Sequence, residues 1–416
     1  MITNIDQALK YIYSFINKNS KSPGINSINR TKYFLELLNN PQDKIKIIHI
    51  AGTSGKGSTS YIINHLLHDQ GFTTGLHLSP HLIDIRERFM INSNLISEEK
   101  FVNYLNEIIP YINDINFSEF GKLTYFELLV GLAYYIFYKE NVDYAIVETG
   151  LGGLYDATNT INSKNKLCVI TRIGLDHTKV LGNTKSEITK QKAGIIQNEN
   201  NVLTIRQENE IEEVLQTACA KKNATLNFIE IKNIKSGLTG NYQKENISLA
   251  LATVSTLSKR DSFIIKPQNI ITSLMNAHFK GRFDIIKKDN YTLIMDGAHN
   301  PQKMQAFTDS LKLKFPNKKF HFIFASKKKK EWNKMLEFII PVASHITLTS
   351  FFVNNQDLVH LSEDPKIISK YLDEKDFKNY SIDNFKNIIN KTNEDLVITG
   401  SLYLLSEVYK LFDKII

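Results

Sequence analysis

The chain alternates short apolar runs of strand length with longer stretches of helical spacing. Residues 45–50, 73–78, 143–148, 167–172 and 202–206 are brief apolar runs bounded by turn residues, the pattern of strands buried on both faces. Apolar positions recurring at i, i+3 and i+4 predict helices over 58–70, 185–195, 208–221, 240–257 and 268–276. Two more are predicted at 5–16 and 30–39, with a polar loop over 20–29 between them. Gly71 stands where a helix ends, and Ser97 is placed to cap a helix with Glu98 and Glu99 in its first turn. Thr124 to Lys139 is apolar on nearly all sides and predicts a buried helix, whereas 84–91 alternates like an edge strand. A second series follows, with strands at 291–296, 319–325, 345–349 and 395–399 and helices that include 302–313 and 402–413. Strand–helix alternation in both halves predicts an α/β protein with two open parallel sheets. The N-terminal, P-loop-type domain is expected over 1–281 and a smaller Rossmann-like domain over 282–416.

Composition narrows the class. The chain has 416 residues, 42% hydrophobic and 23% charged, enough to bury a large core in two or three domains. Its net charge of +8 suits anionic small-molecule substrates, but the basic residues are spread along the chain, so no nucleic-acid partner is expected. Cys168 and Cys219 offer neither a disulfide framework nor metal spacing and read as buried thiols of a reducing compartment. Asp6 and Lys10 interrupt the N-terminal apolar pattern, which makes it an amphipathic helix rather than a signal peptide. No run approaches the length of a membrane span. A cytoplasmic monomer without a membrane partner is the expectation.

Candidate chemistry collects where predicted strands end. The apolar strand before Gly52 runs into Gly52-Thr53-Ser54-Gly55-Lys56-Gly57-Ser58-Thr59. Three glycines let backbone N–H groups face an anion, and the helix that follows presents its positive end to the same spot. Lys56 adds a mobile charge, and Ser58 or Thr59 a hydroxyl for magnesium. The spacing differs from the Walker pattern, because a glycine follows the lysine. Glu148, Ser79 and His177 lie at or near other strand ends and could hold magnesium around a nucleotide. Taken singly, Glu148 is a buried carboxylate in need of a partner, His177 reads as a cap or a ligand, and Ser79 as a turn residue or a ligand.

Further motifs stand in order along the chain: Ala51 to Ser58, Leu78-Ser79-Pro80-His81-Leu82, Arg86-Glu87-Arg88, Thr124 to Glu127, Glu148 to Gly153 and Asp156-Ala157-Thr158-Asn159. The series continues through Ile173 to Thr178, Lys192 to Ile195, Gly281-Arg282-Phe283, Asp296 to Pro301 and Gly400-Ser401-Leu402, within about residues 30 to 410. This ordered set resembles the folylpolyglutamate synthase and dihydrofolate synthase family, itself similar to the Mur ligases. The resemblance implies an ATP-dependent amide ligase with a Mur ligase-like middle-domain fold at its N-terminal end. A dihydropteroate or folate carboxylate would take the γ-phosphate of ATP, and L-glutamate would displace phosphate from the acyl phosphate. The resemblance further implies that Ser58, Ser79, Glu148 and His177 bind magnesium and that Lys192, by itself an ordinary helix lysine, can be carbamylated. Lys56, His177 and Lys192 would then be catalytic. Gly52 to Ser58 would bind ATP with Asn246, Arg282, Asp296 and His299 of the domain interface, Arg282 suiting a phosphate and Asp296 a ribose or base edge.

Several positions depart from that pattern. Ser54 stands where Asn is usual, Tyr242 replaces a histidine in Gly240-Asn241-Tyr242-Gln243, and Leu154 replaces a common arginine. Lys329-Lys330-Glu331 falls where Asp-Lys-Asp is typical, within a run from Lys327 to Lys330 that reads as a solvated loop or an attractor of a glutamate tail. Two other functions remain open. A Mur-type ligase of cell-wall precursors would need a nucleotide-sugar domain, yet only about fifty residues precede Gly52. A nucleotide-dependent binding protein would hydrolyse or exchange ATP regardless of glutamate and folate.

Overall fold

The computed structural model describes residues 1–16, 24–288, 290–356 and 358–412. It divides into two compact units, one of Met1–Lys235 with Lys244–Ala277 and the other of Ser236–Gln243 with His278–Ile416. The first unit carries strands β1 (Lys46–Ala51), β2 (Thr74–His77), β3 (Met90–Ile91), β4 (Tyr144–Glu148), β5 (Leu167–Ile170), β6 (Asn201–Ile205) and β7 (Thr225–Ile229). Its helices are α1 (Ile5–Tyr13), α2 (Ile25–Leu37), α3 (Lys56–Asp69), α4 (Glu98–Asn116), α5 (Tyr125–Lys139), α6 (Thr178–Leu181), α7 (Lys185–Ala193), α8 (Asn209–Ala220), α9 (Gln243–Asp261) and α10 (Pro267–Asn276).

The sheet order is β3-β2-β4-β1-β5-β6-β7, parallel except for β3. β1 therefore lies at the centre, flanked by β4 and β5. Ile48, Ile50 and Ala51 are fully buried, which is why β1 is a continuous apolar run rather than an alternating one. The loops after β1, β4 and β5 consequently leave the same end of the sheet side by side, where parallel sheets place ligands.

α5 is buried along its length from Tyr125 to Phe137, and its Gly131 lies against Phe34, whose ring would stand 2.4 Å from an added Cβ. Thr124 and Glu127 form a capping box at its start. Glu127 is itself buried and accepts from Arg30 Nε at 2.6 Å and Ser27 Oγ at 2.7 Å, so one carboxylate caps α5 and docks α2. The two thiols are buried, and burial pushes Cys168 up to about 11.

Some expected elements are corrected. Residues 84–91 are not an edge strand. Asp84 and Glu87 build a capping box on a 3-10 turn, Ile85–Arg88, and only Met90–Ile91 pairs with β2. Asp84 Oδ1 accepts from Arg86 N, a local bond that outcompetes the extended conformation suggested by alternation. α2 begins at Ile25, five residues before the expected start, and the expected loop at 20–29 lies partly outside the described residues. α9 begins at Gln243 rather than 240, because Gly240 has φ +108. The expected last residue of the final helix, 413, is also outside the described residues. β7 was not foreseen; it is a half-exposed edge strand whose alternation is weak.

The second unit holds β8 (Asp284–Lys287), β9 (Thr292–Asp296), β10 (Phe320–Phe324), β11 (Ala343–Leu348), the hairpin β12 (Phe352–Gln356) and β13 (Leu358–Leu361), β14 (Tyr380–Ile382) and β15 (Leu396–Thr399). Its helices are α11 (Pro301–Lys314), α12 (Trp332–Ile339), α13 (Pro365–Glu374), α14 (Phe385–Lys391) and α15 (Leu402–Phe412). The main sheet runs β14-β11-β10-β15-β9-β8, with β8 antiparallel to β9 and the other pairs parallel. The ends of β9, β15 and β10 are thus neighbours, bringing Asp296–Asn300, Gly400–Ser401 and Lys327–Lys330 to one edge of this unit.

Candidate active site

Gly52, directly after β1, cannot carry a side chain, because a Cβ there would lie 1.9 Å from Thr171 Oγ1. The loop it opens is held by the turn after β5. Thr53 N and Ser54 N both donate to the carbonyl of Arg172, at 2.9 and 3.1 Å. Thr53 Oγ1 donates to Gly174 O at 3.0 Å and accepts from Gly174 N at 3.1 Å. The expected phosphate cradle, Gly52 to Ser58, therefore splits in two. The Thr53 and Ser54 amides are spent on scaffolding. The amides from Gly55 to Ser58, at the start of α3, carry no side-chain cap and present the helix N-terminus to an anion.

Lys56, the first residue of α3, lies 3.8 Å from Glu148 Oε1, with side-chain exposures of 18% and 8%. A carboxylate so buried needs a nearby cation, and Lys56 supplies it. Glu148 Oε2 also accepts from Ser79 N at 3.3 Å. The ends of β1, β4 and β2 thus converge on one carboxylate. Ser58 is buried in the first turn of α3, and Gly57 precedes it. His177 caps α6 in a left-handed conformation, φ +52, with its side chain half exposed and Nε2 3.9 Å from Asp176 Oδ1. Among the described residues no group of three or more His, Cys, Asp or Glu side chains is placed to hold a metal. Of the expected magnesium ligands, Glu148 is reached by the Ser79 backbone N–H and Ser58 lies buried in the first turn of α3; carboxylate and hydroxyl oxygens are the hard donor types that magnesium takes.

Lys192 is 4% exposed and donates to Gly52 O at 2.8 Å. Nothing in the helical spacing of α7 pointed to that acceptor. The strap from Gly150 to Asn159 fixes the end of α7. Leu154 N donates to Gln191 O at 2.7 Å and Asn159 Nδ2 to Gly194 O at 2.9 Å. Asp156 holds the strap closed by accepting from Leu151 N and Thr158 Oγ1, and Thr158 Oγ1 bonds His49 Nε2 of β1 at 2.8 Å. Burial raises the Asp156 carboxyl and holds the His49 imidazole well below its usual range. Lys166 is buried beside this strap, donating to Ile161 O and Ile195 O at 3.0 and 2.7 Å. Sequence reading missed it, since a lysine opening a strand normally points to solvent.

Asn246, on the first turn of α9, accepts from Thr59 Oγ1 at 3.3 Å, and its Oδ1 would lie 2.2 Å from a Cβ on Gly55. It is therefore packed on the phosphate loop. In the second unit, Asp296 ends β9 and is fully enclosed. Its Oδ1 accepts from Ala298 N at 2.8 Å, and its Oδ2 from Phe283 N at 2.8 Å and Tyr242 OH at 2.9 Å. Burial raises its carboxyl against the opposing pull of Arg282. These three bonds give Asp296 a structural duty at the end of β9. Arg282 Nη1 donates to Gly281 O at 3.1 Å and lies against Gly297. His299 Nδ1 bonds Gly297 O at 2.8 Å and Nε2 lies 3.1 Å from Lys303 Nζ, so the partners assign the proton to Nδ1.

A family model described as dihydrofolate synthetase, C-terminal domain, matches residues 280–411. Dihydrofolate synthase/folylpolyglutamate synthase of Bacillus subtilis is 29% identical, covering 99% of both chains. Folylpolyglutamate synthase of Lacticaseibacillus casei is 30% identical over 75% of this chain and 77% of its own. The chain belongs to the folylpolyglutamate synthase and dihydrofolate synthase family. A solved folylpolyglutamate synthase of Mycobacterium tuberculosis, complexed with ADP and AMPPCP, is 25% identical with a TM-score of 0.83, covering 92% of this chain and 95% of that one.

Against the family pattern, Tyr242 has a visible consequence. Where a histidine is usual, its phenol is buried, raised well above its ordinary range, and bonded to Asp296. The Lys327–Lys330 loop is anchored by its backbone. Lys327 bridges Ser362, and Lys328 N donates to Leu361 O at 3.2 Å, while the Lys328 and Lys329 side chains are exposed. No helix among the described residues is long and apolar enough to cross a membrane.

Proposed function

We propose that this chain joins L-glutamate to dihydropteroate, to the glutamate tail of reduced folates, or to both, using ATP and releasing ADP and phosphate. The observation that carries the reading is the meeting of Lys56, Glu148 and the Ser79 amide at the start of α3. The family's ligase activity needs charge neutralisation around a transferred phosphoryl group more than covalent help. The N–H groups of Gly55 to Ser58 and the Lys56 ammonium bind phosphate oxygens. Glu148, Ser58 and Ser79 would hold magnesium, with His177 as a further ligand, and the ion would neutralise charge between the transferring phosphates. Lys56 orients the γ-phosphoryl toward the acceptor carboxylate, and the glutamate amine then attacks the acyl carbon. Lys192 supports Gly52 through its carbonyl, and carbamylation would leave one N–H for that bond while adding a carboxylate. Asn246, Arg282, Asp296 and His299 would complete nucleotide recognition, Asp296 chiefly by fixing the Arg282 and His299 turns. The protein would act in the cytoplasm.

The test is purified protein with ATP, magnesium and glutamate, given dihydropteroate or tetrahydrofolate separately, with products separated by mass. Phosphate release that requires both the pteroate-type acid and glutamate supports the reading. ATP hydrolysis indifferent to both would replace it with a nucleotide-binding function.

A further inference from the structure

We propose that Arg172 and Glu245 are positioning residues for ATP: their ion pair pins the first turn of α9 so that Asn246 stays seated on the phosphate loop. The inference rests on the ATP-binding part of the reading above and adds two residues that no motif singled out.

Arg172 works in two directions. Its carbonyl accepts the N–H groups of Thr53 and Ser54. Its guanidinium meets Glu245 edge to edge, Nε donating to Oε2 at 3.1 Å and Nη2 to Oε1, while Nη1 reaches Arg206 O at 3.5 Å. A forked pair of this kind fixes orientation as well as distance, which a lysine could not do. The side chains are 31% and 25% exposed, so the pair is shielded more than a surface contact. One residue therefore joins the loop's backbone to α9.

The turn it holds needs holding. The first N–H groups of a helix lack intrahelical partners, and helix ends fray. The chain also passes from the second unit to the first between Gln243 and Lys244, immediately before Glu245. Glu245 suits this place electrostatically, since an acid in the first turn complements the helix dipole. The next residue is Asn246, which accepts from Thr59 Oγ1 and fills the space over Gly55, where φ is +91. Gly55 is the N-cap residue of α3, directly before the amides proposed to bind the anion. If the turn of α9 moves outward, Asn246 leaves both Thr59 and Gly55, and the loop loses its cover.

The experiment compares Arg172→Gln and Glu245→Gln in the full-length protein, alone and combined with Asn246→Ala. ATP affinity is measured by calorimetry, and KM for ATP and kcat by glutamate-dependent phosphate release. Each single variant is expected to weaken ATP about tenfold in affinity and KM, with kcat within about threefold. In the Asn246→Ala background the same changes should cost less than about twofold, since residues acting through one contact are non-additive. Glu245→Gln keeps the Arg172 backbone untouched and serves if Arg172→Gln folds poorly. Unchanged ATP affinity with a lowered melting midpoint would make the pair merely structural and overturn the inference, as would full additivity with Asn246→Ala. Wild-type protein that binds ATP but shows no glutamate-dependent release would remove the ligase reading, and the affinity comparison would still judge the pair.

Discussion

Lys192 Nζ donates to the carbonyl of Gly52 at 2.8 Å, joining α7 to the phosphate loop across 140 residues of sequence. Lys192→Ala is expected to lower kcat/KM by about a hundredfold or more, because it removes both the loop's support and any carbamate. Added short carboxylic acids should restore part of the activity if the carbamate operates. Restoration by short alkyl amines but not by acids would identify the ammonium as the working form and end the carbamate proposal.

Lys56 and Glu148 form the other tie, 3.8 Å apart, and their variants should behave differently. Lys56→Ala removes the charge proposed to meet the transferred phosphoryl, and turnover should fall by about a thousandfold. Glu148→Gln keeps the shape but would weaken the proposed magnesium ligand, so its activity should recover in part at raised magnesium. Near-normal turnover in Lys56→Ala would sink the site assignment. Magnesium dependence in Glu148→Gln identical to wild type would remove Glu148 as a ligand.

Much of this arrangement could be read from the chain, and what could not has a physical reason. Buried parallel strands such as β1 and β4 announce themselves because both faces are apolar, and their ends mark the loop at Gly52 and the carboxylate at Glu148. Residues 84–91 misled because alternation is shared by edge strands and by turns closed through side chains, and Asp84 and Glu87 decide between them. Lys192, Lys166 and Arg172 were opaque for another reason. Each donates to backbone carbonyls or to a distant carboxylate, and carbonyl acceptors leave no trace in residue type. Glycines were the better signal, since Gly52, Gly55 and Gly153 mark where such close approaches occur.

Acid should expose one buried histidine. His77 Nδ1 bonds Arg88 O at 2.9 Å, while its buried Nε2 has no hydrogen-bond partner among the described residues. Burial is the main cause that lowers it to about 4; the Arg88 carbonyl opposes this and the Arg88 charge adds to it. The native imidazole is neutral, whereas an unfolded histidine protonates below about 6.5. The unfolded state therefore binds more protons between about 6.5 and about 4, and stability falls as pH falls through that window. The full difference is roughly 3 kcal/mol. Asp156 and Asp296 have raised carboxyls and act in the opposite sense, so the wild-type slope is a sum. Comparing denaturant midpoints of wild type and His77→Gln from pH 7 to 4.5 isolates the histidine. The variant should lose less stability on acidification, and parallel curves would contradict the assignment.

Gly153 provides the sharpest test of the strap that seats Lys192. A Cβ there would lie 2.8 Å from Gln191 O and 2.9 Å from Lys192 O, both backbone atoms that cannot rotate away. Gly153→Ala must push the last turn of α7 off the strap, and Lys192 moves with it. Overpacking of this kind should cost about 1–3 kcal/mol of stability, and displacement of Lys192 should cost at least about tenfold in kcat. Gly71 supplies the control. It has φ +102 but nothing within 4 Å of an added Cβ. Gly71→Ala should therefore cost about 1 kcal/mol through backbone strain alone and leave kcat unchanged. If Gly153→Ala lowers the melting midpoint as Gly71→Ala does but keeps full turnover, the strap is a stability element and Lys192 does not depend on it.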